Sequence, residues 1–458
     1  MEDEFEVRGN WWLPQRLDHK VPGILKFSLE RGAELELFGS LRSIFEHAER
    51  AEGHGVVQFS ITEQALELSG RYPRLHGEAN GKPYTLVDCF SVHREWGISS
   101  GRESEVIHVN RIMRGAIFDQ DGVLEGSGIS FAVTYLTNWI LETGIKERHS
   151  WREDGQPLGE EDPRYTLEAF EKPDRSVTTI DGKTVSLKHR VGIEGNRISQ
   201  RSITQGFHFH IDSAAHKVPI DSLLDWAGDL QDLVSICSLK TAGFEFVRLW
   251  HPDVQRHLPD GPAIPTPIDL FAQWNAKSDQ PPAAIHKGDL LFTFEDFGGI
   301  QGIRRWMDVA ERHRSSLGRV TATRYARSMF VSDRLLNCAA ALEGLDRTIT
   351  GYTNSTFKTR LGRCHSLAGE PFVTLVGDVA LWAEAIRYER DDIAHHFGRR
   401  ARSSNIDTLY LWQSLYFLYV FCLFRLCDTP GDAFNVMKQH PEYVRLSRQI
   451  RSLIQGGA

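Results

Sequence analysis

The hydrophobic period of this chain changes once, and that change constrains the fold more than any single motif does. Up to about residue 215 apolar side chains alternate with polar ones, as in half-buried strands; from about residue 300 they recur every three or four residues, as in amphipathic helices. Residues 24–29 and 33–38 alternate on either side of Glu30-Arg31-Gly32, which predicts a hairpin. Further strands are expected over 56–61, 65–68, 84–92, 105–109, 129–135 and 206–211, and an amphipathic helix over 220–237. Prolines at 259, 262, 265, 267, 281 and 282 exclude a regular helix or central strand throughout that stretch, so a surface connection or linker is expected there. Beyond it, helices are expected over 325–348 with Gly351 as the stop, over 356–366, from Pro371 to Arg390, and over 406–427 behind the capping pair Ser404-Asn405. The fold class is therefore α+β, with a β-rich domain over 1–290 and an all-α bundle over 300–458.

Charge follows the same division. Residues 301–458 hold 22 Lys+Arg against 15 Asp+Glu, a balance of +7, whereas the whole chain carries −8, so residues 1–300 carry −15. Twenty of those 22 cations are arginine, and Arg304, Arg305, Arg312, Arg314, Arg319, Arg324 and Arg327 cluster, as do Arg399, Arg400 and Arg402. Such clusters supply the salt-sensitive part of nucleic-acid binding, or else pair with acids of their own chain. The opening Met-Glu-Asp-Glu-Phe-Glu is acidic where an export signal would be basic and then apolar. The six cysteines contain no C-x2-C pair and mostly lie in apolar runs, so reduced, buried thiols and a cytoplasmic location are expected. Residues 409–424 are free of formal charge, but the run is shorter than the roughly 20 residues a spanning helix needs, so a buried core or dimer helix is expected rather than a membrane segment.

The chemistry concentrates in Arg390-Asp391-Asp392-Ile393-Ala394-His395. A guanidinium offers a fork of donors matched to phosphate oxygens, and an imidazole exchanges a proton near neutral pH, a combination suited to a phosphodiester. Five residues of regular helix turn through about 500°, which leaves Arg390 and His395 roughly 140° apart. Either the helix breaks within the motif, or Arg390 reaches round, or the working pair forms across subunits. Asp391 stands four residues before His395 and could orient its ring. Glu343, in the middle of an apolar helix, is either exposed beside the stripe or a cleft carboxylate that requires a partner such as an arginine. Residues 77–83 lack phosphate-loop spacing and are expected to be a turn. The His208-x-His210 pair, followed by His216, is expected to have a structural or surface role, with no metal assigned. Trp11 and Trp12 are expected to fill a core.

Residues 335–345, Leu-Leu-Asn-Cys-Ala-Ala-Ala-Leu-Glu-Gly-Leu, followed by Tyr-Glu-Arg-Asp-Asp-Ile-Ala-His-His over 388–396, resemble a HEPN domain (higher eukaryotes and prokaryotes nucleotide-binding) with its R-x4-6-H motif. Residues 5–14, Phe-Glu-Val-Arg-Gly-Asn-Trp-Trp-Leu-Pro, with Pro22-Gly23-Ile24-Leu25 and Glu34-Leu35-Glu36-Leu37, resemble the N-terminal domain of the ApeA family of bacterial anti-phage proteins, which carry a C-terminal HEPN. This resemblance implies abortive-infection defence by a homodimeric endoribonuclease that cuts host RNA, tRNA first, without metal or other cofactor. A phage-derived trigger would act on the N-terminal domain. In such enzymes the ribose 2′-hydroxyl attacks its own phosphate, leaving a cyclic phosphate and a 5′-hydroxyl. Carried onto this chain, Arg390 would hold the phosphate and His395 would move the proton; His396 also fits the spacing, and Asp391 stands where the family often has asparagine. Arg399, Arg400 and Arg402 would bind RNA. The alternative is a non-catalytic HEPN module that binds nucleotide or RNA or serves in assembly.

Overall fold

The structure is a computed structural model that describes residues 4–42, 49–53, 56–60, 70–96, 103–118, 122–149, 165–196, 198–214, 216–257, 261–274, 277, 279, 282–326, 328–395 and 405–456. They form two compact units interleaved along the chain. One takes residues 1–131, 215–223 and 245–274, the other 132–214, 224–244 and 275–458.

The first unit is built on a closed ring of six antiparallel strands: β1 (Glu4–Trp12), β2 (Val21–Ser28), β3 (Gly32–Leu37), β4 (Arg71–Ala79), β5 (Lys82–Trp96) and β6 (Glu103–Arg114). β1 pairs with β2 and β4, β2 with β3, β3 with β6, β6 with β5, and β5 with β4, so every strand of the ring has two neighbours. Closure leaves no exposed edge. The alternation read from residues 24–37 now has its cause: Leu25, Phe27, Leu35 and Leu37 point into the barrel with Leu75, Leu86, Ile107 and Ile112. Trp11 is fully buried there, directly opposite Gly77 on β4. A Cβ at Gly77 would stand 2.1 Å from Trp11 Cε3, so only glycine fits beneath the indole. Trp12 is buried too, in keeping with a core role for the pair. The expected turn at 77–83 is the β4–β5 connection, where Asn80 and Gly81 both take positive φ, 51° and 69°, as a two-residue hairpin turn requires. An ion pair is buried in the barrel. Glu105 is fully buried, accepts one bifurcated hydrogen bond from Tyr72 Oη with its two oxygens at 2.9 and 3.1 Å, and pairs with Arg94. The strand Ile268–Ala272 pairs with the end of β6, although it lies within the proline-rich stretch. The prolines fall on either side of those five residues, so the backbone donors needed for pairing are intact. The expected strand over 65–68 lies outside the described residues.

The second unit combines an antiparallel meander, β7 (Arg175–Thr178), β8 (Thr184–Glu194) and β9 (Ser202–Asp212), with helices. α1 (Ile220–Ser238) lies in it from residue 224 onward. α2 (Gly299–Tyr325), α3 (Val331–Thr350), α4 (Phe357–Ala368), α5 (Glu370–Val376), α6 (Val379–His395), α7 (Asn405–Leu426), α8 (Gly431–Gln439) and α9 (Pro441–Gly456) follow. Gly351 ends α3 with φ 72°, and the Thr356 side chain caps α4. Two expectations are corrected. The helix expected over 325–348 starts instead at Val331, because Tyr325 belongs to the end of α2. There its hydroxyl bonds Asp232 on α1. The helix expected from Pro371 to Arg390 is two: Gly377, with φ 78°, breaks it, and Asp378 caps the next through its carboxylate to the Leu381 N–H at 2.9 Å.

α7 is the centre of the bundle. Residues 414–424 are all 5% exposed or less, and α2, α3, α4, α5, α6 and α9 pack around the helix. It is long and apolar enough to cross a membrane, but 72% of its apolar window is buried in the fold, which is how a core helix behaves. Two of its buried hydroxyls tie it to neighbouring helices: Ser414 accepts from Trp382 Nε1 on α6 at 2.9 Å, and Tyr419 Oη shares a hydrogen bond with Ser316 Oγ on α2 at 2.7 Å. All six cysteines are free and buried, as expected.

Two polar ties hold the helices in register. Asp346 on α3 accepts from Arg363 Nε and Nη2 at 2.6 Å and from Arg360 Nη1 at 3.1 Å, with Asp346 and Arg360 both buried. Asp346→Ala would strand the Arg360 charge and is expected to cost about 3–5 kcal/mol in denaturant unfolding. A loss under 1 kcal/mol would show that the pair is not held in solution. On α1, Asp232 accepts from Tyr325 and, at 3.3 Å, from Thr321, and burial raises its pKa from the ordinary 3.8 to about 7. Between those values the unfolded carboxyl is ionised while the folded one keeps its proton, so this group costs stability as pH rises from about 4 to 7, by up to about 1.4 kcal/mol per pH unit. Asp232→Asn is therefore expected to gain on the wild type with rising pH across that window; parallel stability curves would show that the carboxyl does not titrate there.

Candidate functional site

α6 presents two faces with different tasks. Trp382 and Ile386 are fully buried and four residues apart, and Arg390 is the next position on that stripe. Its guanidinium is therefore carried in against the bundle, about a third exposed, where a cation requires a partner. α3 provides one. Arg390 Nη2 donates to Glu343 Oε1 at 3.2 Å, and the guanidinium lies over the Phe357 ring of α4 at 5.0 Å. Of the two readings of Glu343, the half-buried carboxylate facing an arginine is the one observed. Arg390 Nη1 also donates to Asp391 Oδ1 at 3.1 Å, and Arg387 Nη1 reaches Asp391 Oδ2 at 3.5 Å. Asp391 thus accepts from two guanidinium groups.

The helix does not break within the motif. α6 runs through to His395, so Arg390 and His395 leave it in directions roughly 140° apart, and His395 is exposed on its last turn. Arg390, Asp391 and Glu343 come together; His395 stands at the end of the same helix on another side. His396, Arg399, Arg400 and Arg402 lie outside the described residues. Three neighbours were not anticipated from sequence: Phe357, Arg387, and Glu389, which accepts from Thr408 Oγ1 of α7 at 2.6 Å. The four-residue spacing of Arg387 and Asp391 on one helix was the legible signal for one of them; Phe357 and Thr408 come from other helices and left none.

The arginines of α2 turn largely to their own chain. Arg305 Nε bonds the Cys427 carbonyl at 2.6 Å, Arg314 bonds Asp229 through Nε at 3.0 Å and Nη2 at 2.6 Å, and Arg324 Nη2 bonds the Leu239 carbonyl at 2.9 Å. His208 and His210 lie on β9. Burial, with Arg190 and Lys188 nearby, lowers the His208 pKa to about 4, so the ring stays neutral at physiological pH. Among the described residues no group of three or more His, Cys, Asp or Glu side chains is placed to hold a metal ion.

The ApeA N-terminal domain 1 family matches residues 6–306, about two thirds of the chain. This protein belongs to that family. Membership places it with the ApeA-like anti-phage proteins, as the resemblance of residues 5–37 implied. The match covers the barrel, the β7–β9 meander and α1, and ends inside α2. No curated protein and no solved structure matches the chain.

Because Glu343 and Arg390 are a quarter to a third exposed, their ion pair is screened, and Glu343→Gln is expected to cost less than about 1 kcal/mol in urea unfolding. A loss above 2 kcal/mol would place the pair in the structural core instead.

Proposed function

We propose that this chain is an anti-phage effector whose helical bundle is a HEPN endoribonuclease, active as a homodimer, that cuts host RNA, tRNA first, when a phage-derived trigger engages the ApeA-type N-terminal domain. The observation that carries the reading is Arg390 fixed at the end of a buried stripe by Glu343 and Phe357, with His395 exposed on the last turn of the same helix. A guanidinium already oriented by a carboxylate and a ring loses little freedom when it takes a phosphate, and its remaining donors are available for phosphoryl oxygens.

In-line cleavage needs a base for the 2′-hydroxyl, an acid for the leaving 5′-oxygen and a cation on the phosphoryl oxygens. His395 takes one proton-transfer role and Arg390 the electrostatic one. A second copy of α6 supplies the other imidazole, which fits two groups that diverge around one helix and cannot both face a single scissile phosphate within one chain. The 2′-oxygen attacks phosphorus, the bond to the 5′-oxygen breaks, and the products are a 2′,3′-cyclic phosphate and a 5′-hydroxyl. Arg399, Arg400 and Arg402 follow the motif closely in sequence and would bind the RNA backbone. No metal ion takes part in this chemistry.

The test is to incubate the purified protein with total RNA in EDTA. Cleavage should persist, with ends of the stated chemistry. His395→Ala should lower the rate by about 10²–10⁴, the range for a general acid or base, and Arg390→Ala by a comparable factor. Abolition by chelation would contradict the metal-free mechanism. Full activity in either variant would remove that residue from the site, and loss of RNA binding without any cleavage by the wild type would favour the non-catalytic module.

A further inference from the structure

Within the helical unit a cavity of about 480 Å³ opens between the C-terminal end of α1, the middle of α7 and the α8–α9 junction. That volume lies in the range of small-molecule sites. Its charged groups are unevenly committed. Glu442 is taken by Arg445 at 2.6 Å, and Asp289 accepts from the His286 N–H at 2.9 Å. Lys240 is exposed on the rim, and no carboxylate among the described residues pairs with its Nζ. Arg324 lies over the Tyr416 ring at 4.9 Å and spends Nη2 on the Leu239 carbonyl.

His440 closes one side of the cavity. It is 7% exposed and lines the cavity, and its Nδ1 accepts the Glu442 N–H at 3.2 Å. The proton of the neutral ring then sits on Nε2, and this buried N–H has no hydrogen-bond partner among the described residues. That nitrogen is closed off from the open space, so the ring serves as a wall and the charge of the cavity comes from Lys240 and Arg324. A smaller cavity of about 260 Å³ shares Lys240 and Arg324 and adds Arg334, whose Nε is likewise buried without a partner; Asp279 is the acid on its lining.

We propose that this cleft binds a small phosphate-bearing anion, its phosphoryl oxygens held by Lys240 and Arg324. The site is separate from Arg390 and His395 and does not depend on RNA cleavage. Both donors are cationic, as phosphate requires, and the two adjoining cavities leave room for more than the phosphoryl group.

Calorimetric titration of the full chain with inorganic phosphate, adenosine monophosphate and adenosine tests this. Saturable binding of phosphate or the monophosphate, with none for adenosine, is the expected result. A tighter monophosphate would identify a phosphorylated small molecule as the ligand, and equal affinity would identify free phosphate. Lys240→Ala, on an exposed side chain, should weaken binding at least tenfold with unchanged circular dichroism. Absence of saturable binding by both phosphates, or affinity unchanged in Lys240→Ala, would overturn the assignment.

Discussion

α7 sets the terms for the whole helical unit. A helix that is apolar on every side has no face to offer water, so it must be surrounded, and here six other helices do so. Each helix that packs on it turns one stripe inward and ends that stripe where the core ends. Arg390 stands at such an end, below Trp382 and Ile386, and its charge is acceptable there because Glu343 on α3 and the Phe357 ring on α4 meet it. The candidate site is thus a by-product of the burial of α7: the helices that enclose it bring three distant stretches of sequence to one guanidinium.

The barrel of the first unit obeys a parallel rule. Closing six strands removes the edges, and the interior then admits only what fits, which is why Gly77 faces Trp11 and why the buried carboxylate of Glu105 has both Tyr72 and Arg94. Polar groups inside either unit are tied in sets, as Asp346 is with Arg360 and Arg363.

Arginine clustering proved an ambiguous guide. Arg305, Arg314 and Arg324 look in sequence like a basic face, yet each binds a carbonyl or carboxylate of its own chain. A long side chain with a forked head can cap helix ends and bridge helices as readily as it can meet a polyanion, and only the position of the helix decides which.

The periodicity of apolar residues by itself determined the α+β class, the β2–β3 hairpin, the turn at Asn80-Gly81, the α3 and α4 boundaries near Gly351 and Thr356, and the buried state of α7, because these depend on local backbone preference and on which side chains avoid water. The resemblance of residues 5–37 to the ApeA family was legible for a similar reason, being written in consecutive residues. What only the tertiary structure decided is everything that joins distant residues. It decided the closure of the barrel, the interleaving of the two units along the chain, the break at Gly377, and the choice of Glu343 and Phe357 as partners of Arg390. Periodicity tells a side chain to turn inward; which group waits there is set by the packing of other elements, and no local pattern encodes it.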